Sequence, residues 1–465
     1  MINTESPLNS NSTENIPAGG SEPEFFQCQE AWYPVHYLKD LDKSVPTPFT
    51  LLGKDIVIWW DENTDSWKAF VDQCPHRLAR FSEGRVNEDG LLECPYHGWS
   101  FSGSGECVDI PQQVKGGNAQ NSQRACAESL PTIEKQGLLF VFPGKVENAA
   151  KTKVPVLDAL DEEPEGWLLM DMFRDIPYDA LTLLENLLDP SHVNFTHHQT
   201  VGNRANAAPL ELEVVESGKH GFKGLWKQGL NSQQNGERST TFIAPSLMWH
   251  DINSEKARVI TLVYATPIGK GECRMFARFP FKFASKIPSL LIKLRPIWYQ
   301  HIGQNGVLED DQIFLYHQER YLQEKGGSSN FTKAFYLPTK ADAFVFEYRQ
   351  WIHQYNAEPF PGEAYPPLLS REQLLERYHS HTKNCNSCKN TLKRVKQLKF
   401  LSGAIALLSL ASVPLHSYFL NSNSVWIALL ETAIPLVFVY VYFRLHKLEK
   451  QFFEGRIVPP RNYLS

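Results

Sequence analysis

Two short motifs hold this chain to a narrow set of folds. The first is Cys74-Pro75-His76-Arg77, and after seventeen residues that follow His76 comes Cys94-Pro95-Tyr96-His97-Gly98-Trp99. In each, a Cys and a His emerge from one tight turn, so the two turns must face each other before the four ligands can converge. Facing turns of this kind need a scaffold of hairpins. A structural zinc site more often pairs like ligands, as CxxC with HxxxH. Here each pair is mixed, which suits two loops that put both thiolates on one iron of a [2Fe–2S] cluster and both imidazoles on the other. Zinc remains the alternative reading. Gly84, Gly98, Gly103 and Gly105 suit loops that expose amides to sulfide. The surroundings agree: from about Ala31 to Pro143, β-type runs such as Phe49–Leu52, Ile56–Trp60, Trp67–Val71 and Leu138–Phe142 alternate with Gly, Pro, Asn and Asp. That is the pattern of a compact β-domain.

A cluster with this mixed ligation, the Rieske type, moves single electrons, so function depends on a second centre. The run Glu185-Asn186-Leu187-Leu188-Asp189-Pro190-Ser191-His192-Val193-Asn194-Phe195-Thr196-His197 offers one. A helix that loosens after His192 turns His192 and His197 toward one metal. Two His and one carboxylate form the facial triad with which non-haem Fe(II) keeps positions open for O2 and substrate. The third ligand must be a distant carboxylate. Glu309-Asp310-Asp311-Gln312 begins a helix in this reading, and Asp311 is the choice over Asp310. The competing reading is an acidic first turn that merely favours the helix dipole.

With 465 residues the chain has length for roughly three domains. A net charge of −6 supplies no basic field for a phosphate backbone, which argues against nucleic-acid binding. Eight Cys at irregular spacing are too few for a disulfide scaffold; Cys28, Cys107, Cys126 and Cys273 read as ordinary thiols. Residues 1–24 carry neither a secretory nor a transit signature and read as a disordered tail. The division expected is a β-domain at 25–145, a linker at 146–165 and a second domain at 166–382. In the second domain, strand-like runs (Gly221–Trp226, Arg258–Thr266, Arg274–Phe279) mix with helical stretches near 181–195 and 306–323, so the fold class is α+β.

Beyond a CxxC and basic linker at 383–398 lie two apolar runs within 399–444: Phe400–Leu420, and Val425–Phe443 with Glu431 as its only charge. Each is long enough to span a bilayer core of about 30 Å. Lys389, Lys393, Arg394, Lys396 and Lys399 precede the pair, and Arg444, Lys447 and Lys450 follow it, while Asn421–Ser424 between them is uncharged. The positive-inside rule then puts both ends on the cytoplasmic side, with 445–465 as a cytoplasmic tail. A buried helical hairpin is the competing reading. Glu431 at mid-depth would cost about 2.5–3.5 kcal/mol unless paired or protonated, which argues for a helix partner or an oligomer.

Together these motifs resemble the Rieske-type non-haem iron oxygenases. The strings Cys-Pro-His-Arg-Leu-Ala and Cys-Pro-Tyr-His-Gly-Trp-Ser-Phe, the CxxC at Cys385-Asn386-Ser387-Cys388 and the apolar pair are similar to the pheophorbide a oxygenase group. That group includes chlorophyllide and protochlorophyllide oxygenases and a chloroplast import-associated relative. The resemblance covers the chain from about residue 25 onward. It implies an all-β Rieske domain and a helix-grip-like catalytic domain on an antiparallel sheet, with a C-terminal transmembrane hairpin. It implies a [2Fe–2S] cluster on Cys74, His76, Cys94 and His97, and a mononuclear Fe(II) on His192, His197 and Asp311. It further implies that Asp189 links a neighbouring subunit's cluster histidine to an iron-ligand His, within a homotrimer, and that Asn186 lies beside the iron. The expected chemistry is oxygenation with O2 of a large apolar ring, a chlorophyll-derived tetrapyrrole, using electrons from a ferredoxin-like donor. Plant members carry a transit peptide not seen here. The expected location is therefore a thylakoid or inner membrane of a photosynthetic bacterium.

Three weaker signals accompany these. Arg77, Arg80 and Arg85 flank the cluster motif and are candidates to steer an acidic ferredoxin. The Asp189 carboxylate is expected to orient His192 and hold its tautomer. Cys385 and Cys388 are candidates for a switchable disulfide or a thioredoxin target. Two other classes fit part of the pattern: a membrane-bound Rieske electron carrier, which has no use for the second iron triad, and an import-associated or redox-sensing scaffold subunit.

Overall fold

The computed structural model describes residues 25–227, 236–420 and 425–463. The 1–24 tail and the Asn421–Ser424 turn of the sequence reading lie outside them. The first eleven strands occupy the N-terminal third: β1 (Tyr33–Tyr37), β2 (Thr47–Leu51), β3 (Lys54–Asp61), β4 (Ser66–Val71), β5 (Arg85–Val86), β6 (Leu92–Glu93), β7 (Ser100–Phe101), β8 (Cys107–Asp109), β9 (Ser129–Leu130), β10 (Thr132–Lys135) and β11 (Leu138–Val141). They form three small sheets, ordered β1-β11-β10, β2-β3-β4-β9 and β5-β6-β7-β8. Strand β3 shows why alternation matters. Ile56 and Ile58 pack with Leu139 and Val141 in one core, while Val57 and Trp59 point the other way and pack with Cys74, Phe81, Cys94 and Phe101. A strand with period 2 thus joins the body of the domain to the floor of the Cys-His loops.

Seven antiparallel strands build the second sheet: β12 (Leu168–Ile176), β13 (Glu211–Gly218), β14 (Gly221–Lys227), β15 (Gly236–Ile243), β16 (Leu247–Ser254), β17 (Ala257–Gly269) and β18 (Glu272–Phe283), in the order β12-β18-β17-β16-β15-β14-β13. Both faces are covered. Met172, Ile176, Val263, Ala265, Met275 and Ala277 face one core with helices α1 (Ala180–Leu188), α3 (Ile297–Glu324) and α4 (Ala343–Tyr355). A single-turn helix, α2 (Val193–Thr196), follows α1. The alternate residues Phe173, Ile260, Leu262, Tyr264 and Phe276 face a second core with Trp32, Tyr37, Phe140 and Phe142 of the first domain. Cys385, just before helix α5 (Asn386–Leu420), and Cys388, Leu392 and Val395 in its first turns enter that same core. Burial on two faces explains the continuous apolar character of β17 and β18.

Helix α3 is longer than the sequence predicts. It starts at Ile297, so Glu309-Asp310-Asp311-Gln312 lies several turns inside it and is buried throughout, at 5%, 2%, 5% and 1% exposure. An acidic first turn is therefore excluded. Glu309 is held between two guanidinium groups: Arg174 Nη1 donates at 2.9 Å, and Arg377 Nε and Nη2 donate at 2.6 and 2.7 Å. Burial pushes its carboxyl up, but Arg174 and Arg377 outweigh this and hold it below the ordinary value. Glu309→Ala would strand two buried cations, and we expect a loss of about 3–5 kcal/mol of stability in urea unfolding. A change under about 1 kcal/mol would show that the triad is not a fastener of α3.

Helices α5 and α6 (Val425–Lys450) follow one another as a pair. Among the described residues one helix, Asn386–Val413, is long and apolar enough to cross a membrane. The segment after α6, within the stretch read from sequence as a cytoplasmic tail, packs on the catalytic domain. Phe452 is 1% exposed, Thr382 donates to its carbonyl at 2.8 Å, and Arg461 Nη1 donates to the carbonyls of Thr196 and Asp310 at 3.1 and 2.6 Å.

Candidate metal centres

The two Cys-His loops adopt one backbone pattern. In the first, Cys74 N–H donates to Ala79 O at 2.8 Å and Leu78 N–H donates to Cys74 O at 2.9 Å; in the second, Cys94 N–H donates to Trp99 O at 2.8 Å and Gly98 N–H to Cys94 O at 3.1 Å. The fifth residue of each loop is left-handed, with φ of 60° at Leu78 and 71° at Gly98. Glycine takes this conformation freely; leucine takes it at a cost of about 1–2 kcal/mol, which the matched loop geometry must offset. The outcome is a segregated ligand set. Cys74 and Cys94 are buried at 1% and 2%, whereas His76 is exposed and His97 half-buried, their ring centroids 4.6 Å apart. Trp99 stacks on His76 at 4.5 Å. Thiols inside and imidazoles outside fit a cluster whose two irons have different ligands. Of the flanking arginines, Arg80 is engaged by Asp72 and Asp55, and Arg85 by Glu93 and Glu88. Arg77, over the ring of Tyr96, is left facing outward.

The second centre is built where α1 stops. Asp189 precedes Pro190, which disfavours helical backbone, and its own conformation is extended (φ −99°, ψ 94°). The chain then makes the single turn of α2, with His192 capping one end and His197 the other. From α3, Asp311 meets them: the ligand atoms of His192, His197 and Asp311 lie within 4.8 Å of one another. His197 Nε2 is 3.1 Å from Asp311 Oδ2, and its Nδ1 is 3.5 Å from Asp310 Oδ2 on the far side. The two aspartates stand differently: Asp311 faces both histidines, and Asp310 backs His197 while accepting from Thr200 Oγ1 at 2.9 Å.

His197 Nδ1 and Asp311 Oδ1 are buried without a hydrogen-bond partner. Burial alone would pull His197 down, yet the carboxylates of Asp310 and Asp311 push it up to about 9. Two carboxylates around one imidazole and orphaned polar atoms are the surroundings a divalent cation would complete. These residues fit a non-haem iron.

One expectation about the surroundings is corrected. The group on His192 Nδ1 is the main-chain carbonyl of Asp189; the Asp189 carboxylate stands 3.9 Å away and accepts instead from the Ser191 N–H at 2.8 Å and from its hydroxyl. The reason is local: a carbonyl freed at the end of a helix lies one turn before His192, and Ser191 closes an Asx turn on the carboxylate. A support that sequence reasoning did not single out runs beneath it. Trp226 Nε1 donates to Thr240 Oγ1 at 2.7 Å, Thr240 pairs with His250 Nδ1 at 2.8 Å, and His250 Nε2 meets Leu187 O at 2.8 Å. This ties the end of α1 to β14, β15 and β16. Asn186 is half-buried on the same helix.

Cys385 and Cys388 are free thiols, each 1% exposed, and lie against His301 and His381, which the sequence reading had not named.

Comparison with known proteins gives the family. A family model described as Rieske [2Fe-2S] domain matches residues 31–134, and one described as Pheophorbide a oxygenase matches 242–329. The chain is 36% identical to the chloroplastic pheophorbide a oxygenase of Oryza sativa subsp. japonica, over 94% of this chain and 86% of that protein. It is 32% identical to the chloroplastic protochlorophyllide-dependent translocon component 52 of Arabidopsis thaliana, over 81% of this chain and 75% of that one. The fold is shared with the crystal structure of dicamba monooxygenase bound to dicamba, at a TM-score of 0.57 and 22% identity, over 71% of this chain and 98% of that one. An electron-relay loop pair and an iron triad on one chain, with a relative of this identity along nearly all of it, lead to one conclusion: the chain belongs to the pheophorbide a oxygenase family of Rieske-type non-haem iron oxygenases, with one [2Fe–2S] cluster and one mononuclear iron.

Proposed function

We propose that this oxygenase acts on a large flat apolar ring of the chlorophyll-derived tetrapyrrole class, with electrons from a ferredoxin-like donor, while held at a membrane by the α5–α6 pair. The observation that carries this reading is a shared helix. Asp311 of the iron triad sits on α3, and the next turns of α3 line an apolar groove of about 490 Å³ with Ile313, Phe314, His317 and Tyr321, closed by Phe335. Lys325 at the same groove supplies a cation for a carboxylate side chain on such a ring.

Cys74, His76, Cys94 and His97 would hold the cluster, and His192, His197 and Asp311 the iron. When bound, the cluster supplies electrons one at a time and the iron supplies the O2 chemistry. The protein's part is geometry. The Asp189 carbonyl accepts a hydrogen bond from His192 Nδ1–H and so leaves Nε2 as the ligand atom. Asp310 stands behind His197, 3.5 Å from its Nδ1, and puts a carboxylate on the side away from Asp311. We read Asn186, half-buried two residues before the end of α1, as the residue beside the iron. We read Asp189, with a side chain 30% exposed, as the link to a neighbouring subunit's cluster histidine. Exposed Leu78 and Tyr96 beside the cluster loops and exposed Phe195 and Val201 beside the triad suit a head-to-tail contact that closes as a trimer. The basic flanks of α5 and α6 support a topology with both helix ends on the side of the catalytic domain, and outward-facing Arg77 suits an acidic donor.

The test is anaerobic purification with iron and sulfide counting, followed by O2 uptake with reduced ferredoxin and chlorophyllide, pheophorbide or protochlorophyllide in turn. We expect uptake that depends on one of these rings and an oxygenated product of it. Full iron content with no ring-dependent uptake would favour a redox-sensing or import-associated subunit.

A further inference from the structure

Below the first turn of α5, four ligating side chains meet in the core between the two domains. Cys385, Cys388, His301 and His381 are exposed by 1%, 1%, 3% and 1%, and their ligand atoms all lie within 4.8 Å of one another. His301 Nδ1 is 3.5 Å from each sulfur, His381 Nε2 is 3.4 Å from Cys388 Sγ, and the two nitrogens are 3.1 Å apart. A tetrahedral zinc ion with bonds of about 2.3 Å to sulfur and about 2.05 Å to nitrogen has S–N edges of about 3.6 Å and an N–N edge of about 3.3 Å. The observed edges match to within a few tenths of an ångström.

The tautomers are set from outside. His301 Nε2 meets the carbonyl of Asp171 at 2.9 Å, and His381 Nδ1 meets that of Phe173 at 2.6 Å. A carbonyl only accepts, so those nitrogens carry the protons. His301 Nδ1 and His381 Nε2 are then bare and turned toward each other and toward two thiols. Backbone carbonyls fixing the outer nitrogen of both rings is the arrangement metal-bound imidazoles use.

We propose that Cys385, Cys388, His301 and His381 bind one Zn2+ as a closed structural site, separate from both iron centres. Two thiolates and two imidazoles around one point leave no open position for water or substrate, and such a donor set selects zinc. Binding releases the two thiol protons to solvent. The ion joins α3, the π-type turn Tyr378–Thr382 and the start of α5, with β12 supplying both carbonyls. Asp311 lies ten residues beyond His301, about 15 Å along the same helix. Zinc would therefore fasten the helix bearing the iron carboxylate to the helix that enters the apolar pair. In this reading Cys385 and Cys388 are ligands rather than a switchable disulfide.

The experiment is metal analysis and zinc-edge X-ray absorption on the full-length holoenzyme, prepared without added zinc. We expect about one zinc per chain with a shell of two sulfurs and two nitrogens. A mercurial reagent should release it to a coloured chelator in step with the titration of two thiols. Cys385→Ser/Cys388→Ser should lose that zinc and keep the visible spectrum of the [2Fe–2S] cluster; should the double variant fail to fold, the wild-type absorption edge and mercurial release decide alone. Less than about 0.1 zinc per chain would overturn the proposal, whether the two cysteines are then found as free thiols, as a disulfide or on iron. So would zinc retained by a folded double variant. None of these readings depends on turnover, so they stand or fall apart from the oxygenase assignment.

Discussion

Asp311→Ala is expected to abolish ring-dependent O2 uptake and to lower the iron content from about three atoms per chain to about two, with the cluster's visible spectrum unchanged. The expectation comes from position. Among the described residues Asp311 is the carboxylate whose oxygen converges with the ligand atoms of both His192 and His197, and its Oδ1 is buried without a hydrogen-bond partner. Asp310→Ala is the control that separates the two neighbours. Asp310 touches His197 only from behind, so its loss should leave the third iron in place at lower affinity, by about 10- to 100-fold. Equal iron loss in both variants would show that the two carboxylates share the metal and that the division of roles drawn here is mistaken. Cluster loss in either would point to a folding defect instead, and the visible spectrum reads that directly.

The same pair marks the boundary of what a sequence can reveal. Both Cys-His motifs and the His192/His197 run are legible because their ligands are close in the chain and each sits at a turn that Pro or Gly enforces. Strands β3, β14, β17 and β18 are legible from composition and alternation. The choice between Asp310 and Asp311 is a different kind of question. Adjacent residues on a helix point about 100° apart, and which of them meets the histidines depends on how α3 is rotated. That rotation is fixed by Glu309 between Arg174 and Arg377, contacts spanning 135 and 68 residues. The start of α3 is hidden for a related reason. Gly306 lies inside the helix, where the Arg456 guanidinium packs against it and a Cβ would come within 2.1 Å. Nothing local in the sequence announces a C-terminal segment returning from the apolar pair to the active site. His301 is not legible either, since the cysteines and histidine that meet it lie 80 to 87 residues away.

Asp189→Asn is expected to slow turnover by about 100-fold or more while leaving all iron bound. The substitution is nearly isosteric, and each structural duty of Asp189 survives it. Its main-chain carbonyl still accepts from His192 Nδ1, and an amide oxygen can still accept from the Ser191 N–H that now bonds the carboxylate at 2.8 Å. What disappears is a negative charge beside His192, on a side chain that reaches the surface at the rim of the triad. If Asp189 couples this triad to a cluster on a neighbouring subunit, a pre-reduced cluster should stay reduced when O2 and substrate are mixed with the variant. In the wild type it should reoxidise within a turnover. A merely structural role predicts the reverse: iron loss or a lower unfolding midpoint, with reoxidation per remaining iron unchanged. Turnover within about twofold of wild type, with full iron, would remove Asp189 from the pathway and leave its carbonyl as its only contribution.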